Sequence, residues 1–421
     1  MANQTPQSLM KAYQPICEVL SNGTRLVYLK VPSQVAHLGF FFAAGSRHES
    51  ETQIGLAHFL EHCLFKGTQK RKALHILSRI DAVGGELNAY TAKEEMCLYA
   101  SFSKEHTQRA IDLLSDISIY STFPQKEIEK EKEVILDEIN SYLDSPSDKI
   151  FDDFDAKLFK GHPLGQNILG TKESVSGFTQ QDLQDYVRQY FTADNLVVSF
   201  VGNVPLPRLK SSLEAALAEM PKTATRPQPQ PFKRTASFNE IVKEANYQAH
   251  AVMGGLAPSY HNDERVAMSL LINILGGPAL NSRLNLSVRE RYGYAYSIEA
   301  NYHTFADTGY WQIYFGSESK NVSKTLSLID KELEKLKSKP LTNSQLAQAK
   351  KQFKGHLALG MDVNSGLMQG LGKSMLAFGQ IDTIAEMHQA IDKITVQEIQ
   401  DLAKQYFSRD QLSSLVFDVA E

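Results

Sequence analysis

A chain of 421 residues, 42% hydrophobic and 22% charged, holds enough apolar material for two or more domains, each with its own core. Its net charge of −4 gives no electrostatic case for nucleic acid or an anionic membrane as partner. No apolar run approaches the ~18 residues of a membrane span. The first residues carry no signal- or transit-peptide features, and three cysteines (Cys17, Cys63 and Cys97) fit a reducing, cytoplasmic setting better than a disulfide framework.

In chain order, Asn22-Gly23 marks a turn before a strand predicted over 25–31, and a second strand is predicted over 38–44. A helix over 54–65 follows, and it carries His58-Phe59-Leu60-Glu61-His62. A four-residue step returns to the same helix face, so both imidazoles can bind one ion. Glu61 lies close enough to that face to reach a water on the ion, as hydrolysis requires. The order His-x-x-Glu-His is the inverted zincin signature. Cys63 lies about 140° round the helix from His58 and is expected in the core. Lys66, Lys70, Arg71 and Lys72 read as a solvated loop. Next come a helix over 73–83, a turn at Gly84-Gly85, strands over 86–91 and 96–102, and helices over 105–120 and 125–143. The last of these is acidic. Glu127, Glu129 and Glu133 read as a solvated face paired with lysines. Glu131 and Glu138 stand two turns apart on a more apolar face, where a carboxylate needs a partner, and a metal ion is a good one.

The segment 178–191 recurs at 394–407, an offset of 216 residues: Thr179, Gln181, Gln184, Asp185, Gln189, Tyr190 and Phe191 reappear as Thr395, Gln397, Gln400, Asp401, Gln405, Tyr406 and Phe407. Each copy reads as a helix with a threonine N-cap followed by an apolar strand, 196–201 and 412–419. Two similar halves from an internal duplication follow. A proline-rich stretch at 221–236 is expected to link a first domain, 1–220, to a second, 237–421. The mixture of strands and helices predicts an α+β fold in each half, a mixed sheet with helices packed on one side. The same offset carries His58 and His62 to Ile274 and Pro278, so the second half has no metal ligands there.

His58-Phe-Leu-Glu-His62 with Leu64-Phe-Lys-Gly-Thr68, Gly45-Ser-Arg-His-Glu49, Gly85-Glu-Leu-Asn-Ala-Tyr-Thr91 and His162-Pro-Leu-Gly165 together resemble the pitrilysin/insulinase family of zinc peptidases over nearly the whole chain. Length and layout resemble its short members, the processing-peptidase type. The resemblance implies one zinc ion per chain, held by His58, His62 and Glu138, the last standing 76 residues after His62. It implies Glu61 as general base and Glu131 as support of the site. It implies that the edge strand with Asn88 and Ala89 binds substrate, and that Arg289 and Tyr296 face the zinc, Arg289 orienting the substrate and Tyr296 donating to the oxyanion. The function expected is a zinc endopeptidase that cleaves extended, unfolded peptides through a metal-activated water. Relatives with four such domains close round their substrate, so a homodimer is expected to form the chamber here, with a heterodimer of related chains as the other arrangement. The alternative is a non-catalytic core-type subunit or a peptide-binding module of the same fold.

Overall fold

The computed structural model describes residues 14–222 and 230–420. Part of the predicted linker, 223–229, and the extreme N-terminus on which the absence of a leader was read lie outside the described residues. Two compact units emerge, each built on one mixed sheet with helices, so the α+β reading with two similar halves holds.

The first unit carries a 6-stranded sheet in the order β1-β2-β6-β3-β5-β4, from β1 (Ile16–Val19), β2 (Arg25–Lys30), β3 (Val35–Phe42), β4 (Glu86–Thr91), β5 (Met96–Ser103) and β6 (Leu196–Gly202). Pair β2–β6 is parallel and the others are antiparallel. The second unit carries a 5-stranded sheet, β7-β11-β8-β10-β9, from β7 (Asn239–Glu244), β8 (Ala249–Ala257), β9 (Ala295–Thr304), β10 (Gly309–Ser317) and β11 (Ser413–Val419). Here too a single parallel pair, β7–β11, stands beside an antiparallel run. The two sheets share one topology, apart from the additional β1.

The duplication extends to small details. Helices Gln180–Tyr190 and Val396–Tyr406 keep the 216-residue offset. Both begin with a threonine whose hydroxyl accepts from the backbone N–H three residues on, Asp182 or Glu398, closing a capping box. On their surfaces Gln181 donates to Asp185 at 2.9 Å and Gln397 to Asp401 at 2.7 Å.

The unit boundaries differ from the predicted split at the linker. Asn140–Gly165 belongs to the second unit and Leu359–Ala385 to the first. The physical reason is that central strands are apolar on both faces. In β3, Phe40 and Phe42 point into the main core under the helices, while Phe41 points to the other side. That second face is covered by helix Asn364–Phe378, whose Leu367, Met368, Leu371 and Met375 pack on Val27, Phe41, Val197 and Val201. A Cβ on Gly372 would stand 2.2 Å from the Phe41 ring, so glycine lets the helix seat directly on it. In the second unit, helix Pro146–Leu158 plays the same part, setting Ile150, Phe154 and Leu158 on Val252, Tyr310, Leu415 and Phe417. Each half of the chain thus lends one helix to the sheet of the other, a covering that adds to the helices predicted on one side. Among the described residues no helix is long and apolar enough to cross a membrane.

Candidate active site

Helix Leu56–Leu64 is almost wholly buried, with only Glu61 and His62 partly open. Its start is fixed by Gly55, which has φ 91° and closely approaches Gly170: a Cβ on Gly55 would lie 2.5 Å from the Gly170 Cα. Its free N–H groups are met by Glu49, a buried carboxyl whose Oε2 accepts from the Gly55 N–H at 2.8 Å and whose Oε1 accepts from the Ala57 N–H at 2.7 Å. Burial pushes the Glu49 pKa up to about 8, against the pull of these two donors and of Lys93. Cys63 is buried, as its position round the helix implied.

The two imidazoles stand with ring centroids 4.8 Å apart. Glu138, on the helix Gln125–Leu143, brings its Oε2 to 3.6 Å from His62 Nε2 and 3.8 Å from His58 Nε2. The ligand atoms of a tetrahedral zinc site, with bonds of about 2.0–2.1 Å, lie roughly 3.3 Å apart. One atom from each of His58, His62 and Glu138 lies within 4.8 Å of the others, a group able to hold a metal ion. The donor set fits zinc in chemistry, two imidazoles and one carboxylate. Burial and the neighbouring His62 push the His58 pKa down to about 4, so this ring is a neutral donor at neutral pH.

Glu131 lies on the buried face of the same helix with Ile128 and Ile135. Its Oε2 stands 3.2 Å from His62 Nδ1, which leaves Nε2 turned toward Glu138. Its Oε1 pairs with Lys66 at 2.7 Å. Burial alone would raise the Glu131 pKa, but the hydrogen bonds from His62 and Lys66 outweigh it and hold the carboxyl below its ordinary value. Glu127 and Glu129 pair with Lys130 and Lys132 on the outer face, as read from the sequence. The expected solvated loop after the helix is corrected at two positions. Lys66 turns in to Glu131, and Arg71 turns in to Asp112 and Asp116, both at 2.5 Å, because those acids are half-buried or buried and need a counter-charge.

Glu61 faces β4. Its Oε2 accepts a 2.6 Å hydrogen bond from the Thr91 hydroxyl. Burial raises its pKa, and the Thr91 hydrogen bond opposes the rise. Strand β4 is an edge of its sheet, pairing only with β5 among the described residues. Leu87 and Ala89 pack toward the core beneath the metal-binding helix, whereas Tyr90 faces the other side. Alternation therefore puts Ala89 on the Glu61 face and the exposed Asn88 on the opposite one. Thr91, Lys66 and Glu49 were not singled out from sequence for these positions. The period of two in β4 was a usable signal for Thr91, but nothing local pointed to the other two.

Arg289 and Tyr296 belong to the second unit. Arg289 sits in the short π-helix Asn285–Glu290 and is exposed, 4.0 Å from Glu290. Tyr296 lies at the start of the edge strand β9 and is 87% exposed. Neither is engaged by its own unit's core.

Comparison with known proteins bears on the family and the fold. Residues 25–172 match the model of the insulinase family, peptidase family M16, and residues 177–353 match the M16 inactive domain. The uncharacterized zinc protease YmxG of Bacillus subtilis is 32% identical over 396 residues, covering 94% of this chain and 96% of that one. An uncharacterized zinc protease of Mycobacterium leprae is 34% identical, covering 93% and 88%. Among solved structures, a protease from Helicobacter pylori superposes with TM-score 0.90 at 19% identity, covering 97% of this chain and 100% of that one. A Pseudomonas fluorescens structure titled peptidase M16 inactive domain gives 0.89 at 18% identity, covering 97% and 98%. The paired imidazoles, the distant carboxylate and the repeated fold belong together: this chain is a member of the M16, or pitrilysin/insulinase, family of peptidases.

Proposed function

We propose that the protein is a zinc endopeptidase acting on extended, unfolded peptides, with one zinc ion per chain held by His58, His62 and Glu138. The observation that carries this reading is the convergence of those three side chains beside Glu61. Zinc bound there supplies a Lewis acid that makes water nucleophilic near neutral pH and polarises the scissile carbonyl. Glu61 Oε accepts the proton of the attacking water and delivers it to the leaving amine, a transfer worth roughly 10²–10⁴-fold in rate. Glu131 keeps the His62 ring in one orientation through Nδ1. The open edge of β4 accepts an extended peptide through main-chain hydrogen bonds at Ala89, with the Asn88 side chain beside it to hold the peptide, and such bonds bind without reading sequence. The three free cysteines support a cytoplasmic setting.

Arg289 and Tyr296 complete the chamber in a homodimer, Arg289 orienting the substrate and Tyr296 donating to the oxyanion, a contribution of about 3–4 kcal/mol for one such donor. Their exposure in their own unit supports this role. The test mixes Glu61→Gln protein with Arg289→Ala protein, each inactive alone, and follows cleavage of a quenched peptide. Activity returns on mixing if each site draws on both subunits. Subunit exchange with no return of activity rules the shared site out.

A further inference from the structure

We infer that Thr91 is a positioning residue for Glu61, tying the general base to the strand that binds substrate; this rests on the catalytic role proposed above for Glu61. The Thr91 hydroxyl donates to Glu61 Oε2 at 2.6 Å, a bond that does not engage Oε1, the oxygen then available to take the proton. A glutamate has three rotatable bonds, and displacement of a catalytic group by about 1 Å can cost 10²-fold in rate. The donor is therefore useful only if its own backbone is fixed.

That backbone is fixed from several directions. The turn after β4, Ala92 to Glu95, is closed by the Ala92 N–H donating to the Glu95 carbonyl at 2.8 Å. Ser46 N–H donates to the Ala92 carbonyl at 3.2 Å and Arg47 N–H to the Lys93 carbonyl at 2.8 Å. Each charged side chain of the turn is anchored to a different element. Lys93 donates to the Gln166 carbonyl. Glu94 pairs with the buried Arg47 at 2.5 Å. Glu95 accepts from Tyr90 at 2.9 Å and pairs at 2.9 Å with Lys373, on the helix lent by the second half of the chain. Three charges in an otherwise exposed type of turn all point inward, which a solvated hairpin has no reason to do.

Thr91 also has a second face. With Ala92 and Glu95 as a hydrogen-bonded pair, antiparallel alternation turns the main-chain N–H and C=O groups of Thr91, Ala89 and Leu87 outward, to the open edge. One residue thus offers its backbone to an added peptide strand and its side chain to the base. A β-branched residue suits this place because its χ1 is restricted.

The experiment compares the full-length, zinc-loaded protein with Thr91→Val and Thr91→Ser. Thr91→Val keeps shape and loses the donor, whereas Thr91→Ser keeps it. The first readout is the position of the Glu61 carboxylate in crystal structures. It leaves its place in Thr91→Val and keeps it in Thr91→Ser. The second is kinetic, on a quenched unfolded peptide: Thr91→Val loses about 10- to 100-fold in kcat, with KM, zinc content and Tm unchanged, and Thr91→Ser recovers most of it. A Glu61 carboxylate unmoved in Thr91→Val overturns the inference, as does an unchanged kcat. If the wild-type protein cleaves nothing while Glu61 still moves, the peptidase reading fails and the positioning role stands.

Discussion

Helices Leu56–Leu64 and Arg265–Gly276 occupy corresponding places in the two similar folds. Each follows the strand at the middle of its sheet, β3 or β8, and each lies against the edge strand, β4 or β9. The first sets Glu61 against Thr91 of the edge strand and turns His58 and His62 to Glu138; the second buries Met268, Leu270, Leu271, Ile272 and Leu275. Pro278, which the 216-residue offset would match to His62, lies past the end of its helix, so that offset is not kept here, and no histidine stands anywhere in Arg265–Gly276. The scaffold is common, then, and the chemistry is a change of a few side chains on one copy. What separates the copies is also the surrounding support. Glu131, Thr91 and Glu49 each hold some part of the first helix or its side chains, and Lys66 in turn holds Glu131.

This contrast can be broken in order of expected size. Glu61→Gln should keep the metal and lower peptide cleavage by at least about 10²–10⁴-fold. Steady-state kinetics on metal-analysed protein checks this, and activity retained in that variant removes Glu61 as base. In the second copy, Leu271→Ala should cost about 2–5 kcal/mol of stability by opening a cavity in the core, with the metal site intact. Denaturant unfolding and metal analysis of the same preparation report both sides. Glu131→Gln should weaken metal affinity by roughly 10–100-fold, because the His62 ring loses an ionised acceptor at Nδ1. Competition with a chromogenic chelator measures it.

The last effect is read as a trend with pH rather than as a single loss, and concerns Glu49. Its folded pKa is raised from 4.5 to about 8, so the folded state binds this proton more tightly than the unfolded chain. The stability it contributes is therefore complete below about 4.5 and is lost as pH rises through about 8. The Tm of the native protein should fall relative to Glu49→Gln across that window. Parallel melting curves from pH 4 to pH 9 reveal the trend, and a constant difference contradicts it.

Much of the molecule was legible beforehand because its signals are short-range. The spacing of His58 and His62 needs only helical periodicity, and the capping threonines Thr179 and Thr395 mark their helices locally. Glu138 is different: its distance along the chain from His62 means that only the family resemblance, not local pattern, selected it over Glu131. The lent helices Pro146–Leu158 and Asn364–Phe378 were out of reach for a related reason. An amphipathic pattern says that one face is buried but not which sheet buries it. Lys66 read as a surface lysine because its partner, Glu131, arrives from another helix.

The central claim is the joint hold of His58, His62 and Glu138 on one divalent ion. Elemental analysis of the purified native protein beside His62→Ala tests it most directly. The account predicts one zinc per native chain and almost none in the variant. Native protein that carries no stoichiometric metal after zinc loading, or a His62→Ala protein that keeps a full equivalent, would contradict it.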